Sequence, residues 1–189
     1  MLDFFLKGGI LMWPILACSI TALAVIVHKT RQYRTILGQL SAPLEDIRDQ
    51  KPAVMAPLID AIDRDIGESE IGLIGTKTVR RLERGLGTLS LISVISPLLG
   101  LTGTVLGMIR AFQAIADVDT RVEPALLATG IWEALITTAS GLLVAIAAHI
   151  AFHYLDHRMG EIALNMKATT LALRSERARK AGRSWNSNA

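Results

Sequence analysis

The sequence predicts an all-α membrane protein with three transmembrane helices, and three observations support that prediction. Of the 189 residues, 51% are hydrophobic. The apolar residues gather in three runs, residues 10–27, 86–109 and 125–154. Each run is long enough for a helix to cross a bilayer core, which needs roughly 17–25 residues. Basic residues lie beside the runs and are scarce between the second and third, as is typical of a polytopic membrane protein.

The first run predicts a transmembrane helix over residues 8–28. Lys7 followed by an apolar core also suits a secretory signal, with a cleavage site at Ala22 to Ala24. The run continues past that site, however, and ends in a cluster of basic residues that begins at His28. This arrangement is typical of a helix that is retained in the membrane and meets the cytoplasmic face. We therefore expect an anchor rather than a cleaved leader.

Residues 29–85 predict a cytoplasmic helical segment. They contain ten Lys and Arg residues against nine Asp and Glu residues. Apolar residues recur at helical spacing over residues 53–66, and residues 71–86 form a second amphipathic candidate. Breaks are expected at residues 41–43 and 65–67, where Pro and Gly occur.

The distribution of positive charge predicts the orientation of the other segments. Seven Lys and Arg residues follow Leu155, whereas the stretch 117–124 contains only Arg121. Because short cytoplasmic loops are enriched in positive charge, this stretch is expected outside as a turn. The prediction is a second helix over 86–116, a third over 125–154, and a cytoplasmic helix and tail over 155–189. The N-terminus is then outside and the C-terminus cytoplasmic.

The second and third predicted crossings place polar groups at bilayer depth. Counting inward at 1.5 Å per residue from both outer ends puts Thr104 at ~18 Å and Thr138 at ~20 Å, near the mid-plane. The same count puts Arg110 at ~9 Å and Glu133 at ~12 Å. Polar groups in lipid are costly and mark function by default. The candidate pore-lining residues are therefore Thr104, Thr137, Thr138, Ser140 and Glu133.

Small residues along the same two helices support a second interpretation. Gly100, Gly103 and Gly107 share one helix face with Thr104, and Gly141 lies on a comparable stripe of the third helix. Such stripes let two helices approach closely. A Thr hydroxyl can also bond to the carbonyl one turn back. Helix packing alone and a polar path therefore both fit the pattern, and Pro97 adds an expected bend.

Two sequence stretches in these helices resemble a known family. ISPLLGLTGTVLGMIRAF, residues 95–112, is followed by GIWEALITTASGLLVAIAA, residues 130–148. The pair resembles the membrane-helix signature of the TolQ, ExbB and MotA family of proton-channel subunits, and is most similar to the ExbB and TolQ branch. Thr104, Thr138 and Glu133 match family positions. The chain departs from the pattern at Ser140 and at Ala147, where a proline is common.

The resemblance implies a role and partners. It implies a homo-oligomer, a pentamer, in the bacterial inner membrane, with a periplasmic N-terminus. The ring would surround a dimeric, single-helix partner of the ExbD or TolR kind, and that partner would supply the proton-carrying Asp. Thr104 and Thr138 would line the pore opposite this Asp. The assembly would couple the proton motive force to transport or other work in the envelope; the cargo is not indicated.

Other classes of protein fit the sequence less well. No catalytic dyad, phosphate loop or metal triad is visible, so we expect neither an enzyme nor a cofactor or metal site. The basic residues show no nucleic-acid motif. A membrane scaffold that does not conduct remains an alternative. A flagellar-type stator is another, although the cytoplasmic segment is short for that branch.

Four ionisable residues in or near the third crossing keep more than one interpretation. Glu133 suits either a structural ion pair with Arg110 or a proton relay. His149, His153 and His157 recur every four residues at the inner end of this crossing. That spacing fits a metal site, an interfacial position or a proton exit.

Overall fold

The computed structural model describes residues 9–116 and 124–187, and all the regular structure in these ranges is helical. The helices are α1, Met12–Leu40; α2, Leu44–Gln50; α3, Ala56–Asp63; α4, Glu68–Glu83; α5, Leu86–Ala116; and α6, Pro124–Ser187. The predicted all-α class is confirmed. Residues 117–123, which form most of the predicted outer turn and include Arg121, lie outside the described residues.

Three of these helices are long and apolar enough to cross a membrane, as the sequence predicted. The candidate spans are Met12–Leu40, Leu86–Gln113 and Gly130–Arg179. Each contains more residues than the roughly 17–25 that one crossing requires. The positions of the termini relative to a membrane stay a prediction.

Local sequence explains where several helices begin and end. Gly9 precedes α1 with a φ of 70°, a left-handed conformation that glycine adopts without strain. Helix α2, which the sequence pattern did not predict, ends at Lys51 in a left-handed cap whose N–H donates to the Ile47 carbonyl. Gly85, with a φ of 98°, separates α4 from α5. The helix expected over residues 53–66 begins later, at Ala56, because a turn occupies the residues after Pro52.

The chain divides into two compact units. The first, the membrane unit, comprises Met1–Val27 and Gly85–His153. The polar unit comprises His28–Arg84 and Tyr154–Ala189. Helices α1 and α6 each contribute residues to both units.

The core of the polar unit consists of large side chains. Tyr33, Met55, Ile59, Leu155 and Ile162 are each at most 2% exposed. The carbonyl oxygen of Leu82, in the last turn of α4, accepts hydrogen bonds from the Tyr33 hydroxyl and the Lys29 ammonium, both at 2.8 Å. These donors satisfy a carbonyl that has no partner within its own helix. The end of α4 is thereby fixed to α1.

Candidate functional site

In the membrane unit, α5 and α6 approach so closely that backbone touches backbone. A Cβ added to Gly100 would lie 2.9 Å from the Cα of Thr138. One added to Gly141 would lie 2.5 Å from the carbonyl oxygen of Ser96. No larger residue fits at either position without moving a helix, since real Cβ contacts are longer than this.

Two further glycines continue the same contact along α5. A Cβ on Gly103 would lie 2.8 Å from the Cβ of Thr137, and one on Gly107 would lie 2.9 Å from the Cβ of Ala134. The structure therefore places all four of the glycines named from the sequence at one helix–helix contact. Pro97 lies within α5, which continues through it as a helix.

The candidate hydroxyl groups differ in their surroundings. The Thr138 hydroxyl crosses the contact and donates to the Gly100 carbonyl oxygen at 2.8 Å. The Thr104 hydroxyl stays on its own helix and donates to the Leu101 carbonyl oxygen at 2.7 Å. Thr137 is 1% exposed, and its hydroxyl donates to the Glu133 carbonyl oxygen. Ser140 is half-buried.

The depth count suggested that Thr104 and Thr138 lie at one level, and the structure shows that they do not. Thr138 lies against Gly100, and Thr104 is four residues further along α5. Four residues correspond to roughly 6 Å along a helix axis. The count assumed that the outer ends of the two helices are level, whereas the glycine contacts determine the register. The hydroxyls therefore form a staggered pair about one turn apart.

Arg110, six residues after Thr104 in α5, and Glu133, five residues before Thr138 in α6, form an ion pair. Arg110 Nη1 lies 3.1 Å from Glu133 Oε1, and the side chains are 54% and 27% exposed, respectively. The Glu133 side chain also packs against Gly9, whose missing Cβ leaves the space that the carboxylate occupies. The acid thus contacts the segment just before α1 as well as α5.

A small cavity adjoins this ion pair. Its volume is about 10 Å³, close to the minimum that holds one water molecule. Arg110, Glu133 and Thr137 supply polar groups to its wall, and Ile10, Leu11, Gly103 and Leu106 complete it. The ion pair and Thr137 therefore border the same small space.

Two residues of this region were not identified from the sequence. Gly9 gave only a weak indication, as the second of two consecutive glycines before an apolar run. Ser96 is fully buried, and its hydroxyl has no hydrogen-bond partner among the described residues. A serine inside a long apolar stretch does not reveal which face it occupies, so only the structure identifies it as buried.

The histidines of α6 do not form a three-ligand cluster. The rings of His149 and His153 meet edge to face with their centroids 4.5 Å apart. In the polar unit, His157 lies 3.7 Å from Glu161. Within residues 9–116 and 124–187, no three His, Cys, Asp or Glu side chains are grouped so as to hold a metal ion.

The paired helices, both long and apolar enough to cross a membrane, define the broad class as an all-helical protein able to span a membrane. Residues 40–168 match the MotA/TolQ/ExbB proton channel family, and the chain belongs to that family. The match includes both α5 and most of α6 up to residue 168. It therefore covers Thr104, Glu133 and Thr138.

Three of the proteins that are similar to the chain show the range of names among its relatives. Biopolymer transport protein exbB1 of Vibrio cholerae is 31% identical over 166 residues, which cover 74% of this chain and 72% of that protein. Putative biopolymer transport protein ExbB-like 1 of Synechocystis is 35% identical over 183 residues, with 82% and 70% covered. The Tol-Pal system protein TolQ of Pseudomonas aeruginosa is 42% identical over 78 residues, with 41% and 33% covered. The relatives thus include both ExbB and TolQ names.

Proposed function

We propose that this chain is the channel subunit of an inner-membrane motor that couples the proton motive force to transport or other work in the cell envelope. The proposal rests on one observation above all: the family match extends over both helices that hold the candidate hydroxyls and the acid. The three apolar helices are consistent with a multi-pass membrane protein. No catalytic role is assigned to the chain.

The moving proton carrier is assigned to a partner. Within residues 86–116 and 124–154 of the sequence, Glu133 is the only acidic residue. Arg110 and Gly9 already contact its carboxylate. A carboxylate held on two sides is poorly suited to turn between two compartments. We therefore assign the proton-carrying Asp to a dimeric, single-helix protein of the ExbD or TolR kind, enclosed by a homo-pentamer of this chain.

Thr104 and Thr138 would serve this Asp without adding fixed charge. A hydroxyl has one donor and two acceptor lone pairs, and its hydrogen rotates freely. Each of the two threonines now donates to a backbone carbonyl, so its oxygen can still accept a hydrogen bond from water or from a carboxylic acid. Rotation of the hydroxyl would then supply a donor for the carboxylate.

One contact favours a second candidate function, a scaffold that does not conduct. The Thr138 hydroxyl links α6 to α5 through the Gly100 carbonyl, which is what a packing residue does. In that case, loss of the Thr138 hydroxyl would weaken the contact between α5 and α6 and would have no separate effect on proton influx. The two candidates therefore predict different outcomes for variants that still assemble.

Replacement of threonine by valine tests the two candidates. Thr104→Val and Thr138→Val remove a hydroxyl and keep the shape of the side chain. Thr102→Val is the matched control, because Thr102 also bonds to its own helix, at the Leu98 carbonyl, but is exposed. The measurement is proton influx into vesicles that contain the chain and its partner, with assembly checked by size.

The channel proposal predicts assembled complexes with influx at least ten-fold below wild type for Thr104→Val and Thr138→Val, and unchanged influx for Thr102→Val. A positioned proton-transfer group contributes about 10²–10⁴-fold to the rate in enzymes. We expect a smaller effect here because water can replace the missing hydroxyl. Wild-type influx in both assembled variants would instead favour the scaffold.

Replacement of Glu133 separates a structural ion pair from a relay. Glu133→Ala is expected to impair function or assembly, and full coupled activity in this variant would refute an essential role. The double exchange Arg110→Glu with Glu133→Arg retains the attraction between the two side chains. Recovery of assembly without recovery of proton influx would show that the acid itself is needed at position 133, whereas recovery of both would make the pair structural.

A further inference from the structure

The polar unit contains a cavity of about 210 Å³ between α1 and α6. Two arginines, two tyrosines and one threonine supply polar groups to its wall, and two leucines supply apolar surface. These residues are Thr30, Tyr33, Arg34, Leu37, Tyr154, Leu155 and Arg158. None of these seven described residues is acidic.

The first cation of the cavity, Arg34, is available for a ligand. It is exposed and makes no hydrogen bond or ion pair with the described residues. Tyr33 and Leu155, each 1% exposed, are buried side chains of the wall. The Tyr33 hydroxyl is already used by the Leu82 carbonyl, so Tyr33 contributes shape rather than a hydrogen bond.

The second cation, Arg158, is held in place by its neighbours. Its Nη1 donates to Glu161 Oε2 at 2.8 Å, and its Nε donates to the Tyr154 hydroxyl at 3.4 Å. The guanidinium carbon lies 5.5 Å from the centre of the Tyr154 ring. A guanidinium has five N–H donors, so three remain after these two bonds. Glu161 offsets part of the charge, which makes Arg34 the larger contributor.

The cavity begins where the apolar runs end. Thr30 follows Val27, the last residue of the first run, by three positions, and Tyr154 is the last residue of the third run. Side chains at these positions are expected at the boundary between the hydrocarbon and water. Basic pockets between transmembrane helices at this level bind the head groups of anionic lipids. Arginine suits phosphate because its donors form two parallel bonds to the oxygens.

We propose that this cavity binds the phosphate group of an anionic phospholipid, with Arg34 as the main contact and Arg158 as the second. Leu37 provides apolar surface beside it. With the predicted orientation, the lipid belongs to the cytoplasmic leaflet. The inference does not depend on the proton path; it requires only that the helices cross a membrane.

The test compares lipid retention by the full chain purified in mild detergent. Phosphatidylglycerol or phosphatidylcholine is added, and bound lipid is counted by native mass spectrometry. The variants are Arg34→Gln and Arg158→Gln. The matched control is Arg31→Gln, which removes the same charge from α1 three residues earlier, at a position that lines a different cavity.

We expect wild type to retain at least ten-fold more phosphatidylglycerol than phosphatidylcholine. Arg34→Gln should reduce phosphatidylglycerol retention about ten-fold, Arg158→Gln by less, and Arg31→Gln should leave it unchanged. Loss of one charge-assisted hydrogen-bond donor commonly has an effect of this size.

Three outcomes would overturn the proposal. Equal retention of the two lipids would remove the preference for anionic head groups. An equal effect of Arg31→Gln and Arg34→Gln would show general surface charge instead of a site. Displacement of phosphatidylglycerol by an equal concentration of inorganic phosphate would identify a site for free phosphate rather than for lipid.

Discussion

In the membrane unit the exposed large apolar side chains outnumber the buried ones, whereas in the polar unit the buried ones outnumber the exposed ones. The fully buried residues of the membrane unit include Ser96 and Thr137, together with Leu89. Those of the polar unit are Tyr33, Met55, Ile59, Leu155 and Ile162. All but a few of the exposed large apolar side chains belong to the membrane unit; the exceptions are Leu44, Leu73, Tyr154, Leu164 and Leu171.

This difference reflects the solvent that each unit is expected to meet. In water, burial of apolar surface drives packing at about 25 cal/mol per Å². In lipid that force between helices is absent, so association depends on close backbone approach and on hydrogen bonds between helices. The glycines of α5 and α6 and the bond from Thr138 to Gly100 are contacts of this second kind.

The largest expected effect separates the two kinds of packing directly. Ile162→Ala, at a position that is 0% exposed in the polar unit, should lower the free energy of unfolding by about 2–5 kcal/mol because it leaves a cavity. Leu143→Ala, at a 69% exposed position of the membrane unit, should change it by about 0.5 kcal/mol or less. The measurement is denaturant unfolding of the full chain in nanodiscs. Similar losses in both variants would mean that the Leu143 face is covered rather than exposed to lipid.

A second prediction concerns the glycines of the membrane unit. Gly141→Ala forces a methyl group against the Ser96 carbonyl oxygen and should destabilise the chain by about 1–3 kcal/mol. Gly87→Ala is the control, because a Cβ at Gly87 of α5 would meet nothing within 4 Å. Apparent melting temperature in nanodiscs reports both. If Gly87→Ala were as harmful as Gly141→Ala, helix-to-helix contact would not be the cause.

The smallest expected effect lies in the polar unit. Tyr33→Phe removes one of two hydrogen bonds to the Leu82 carbonyl and keeps the buried ring, so a loss of about 0.5–1.5 kcal/mol is expected. Lys29 still satisfies the acceptor. The same unfolding experiment measures this loss, and a cost as large as that of Ile162→Ala would show that the hydroxyl has a larger structural role.

Much of this arrangement could be predicted from the sequence because it follows from spacing. Runs of apolar residues located the three long helices, and glycines three and four residues apart located the face where α5 meets α6. An ion pair between Arg110 and Glu133 was one of two interpretations of the sequence, and the two side chains are 3.1 Å apart.

Other features depend on three-dimensional fit, which spacing does not specify. The stagger between Thr104 and Thr138 arises from how the glycines interdigitate. The contact of Gly9 with Glu133 joins residues far apart in the chain. Helix α1 continues to Leu40, beyond the predicted membrane segment, because hydropathy reports the crossing and not the end of the helix. The cavity at Arg34 needs two distant helices to form its walls.

The central claim, that the Thr138 hydroxyl handles protons as well as packing α6 against α5, is tested most directly by comparing serine with valine at that position. Thr138→Ser keeps the hydroxyl, and Thr138→Val keeps the shape. Proton influx is measured in vesicles that contain the assembled complex with its single-helix partner. We predict influx close to wild type for the serine variant and at least ten-fold lower influx for the valine variant. Equal influx from two fully assembled variants would contradict the claim.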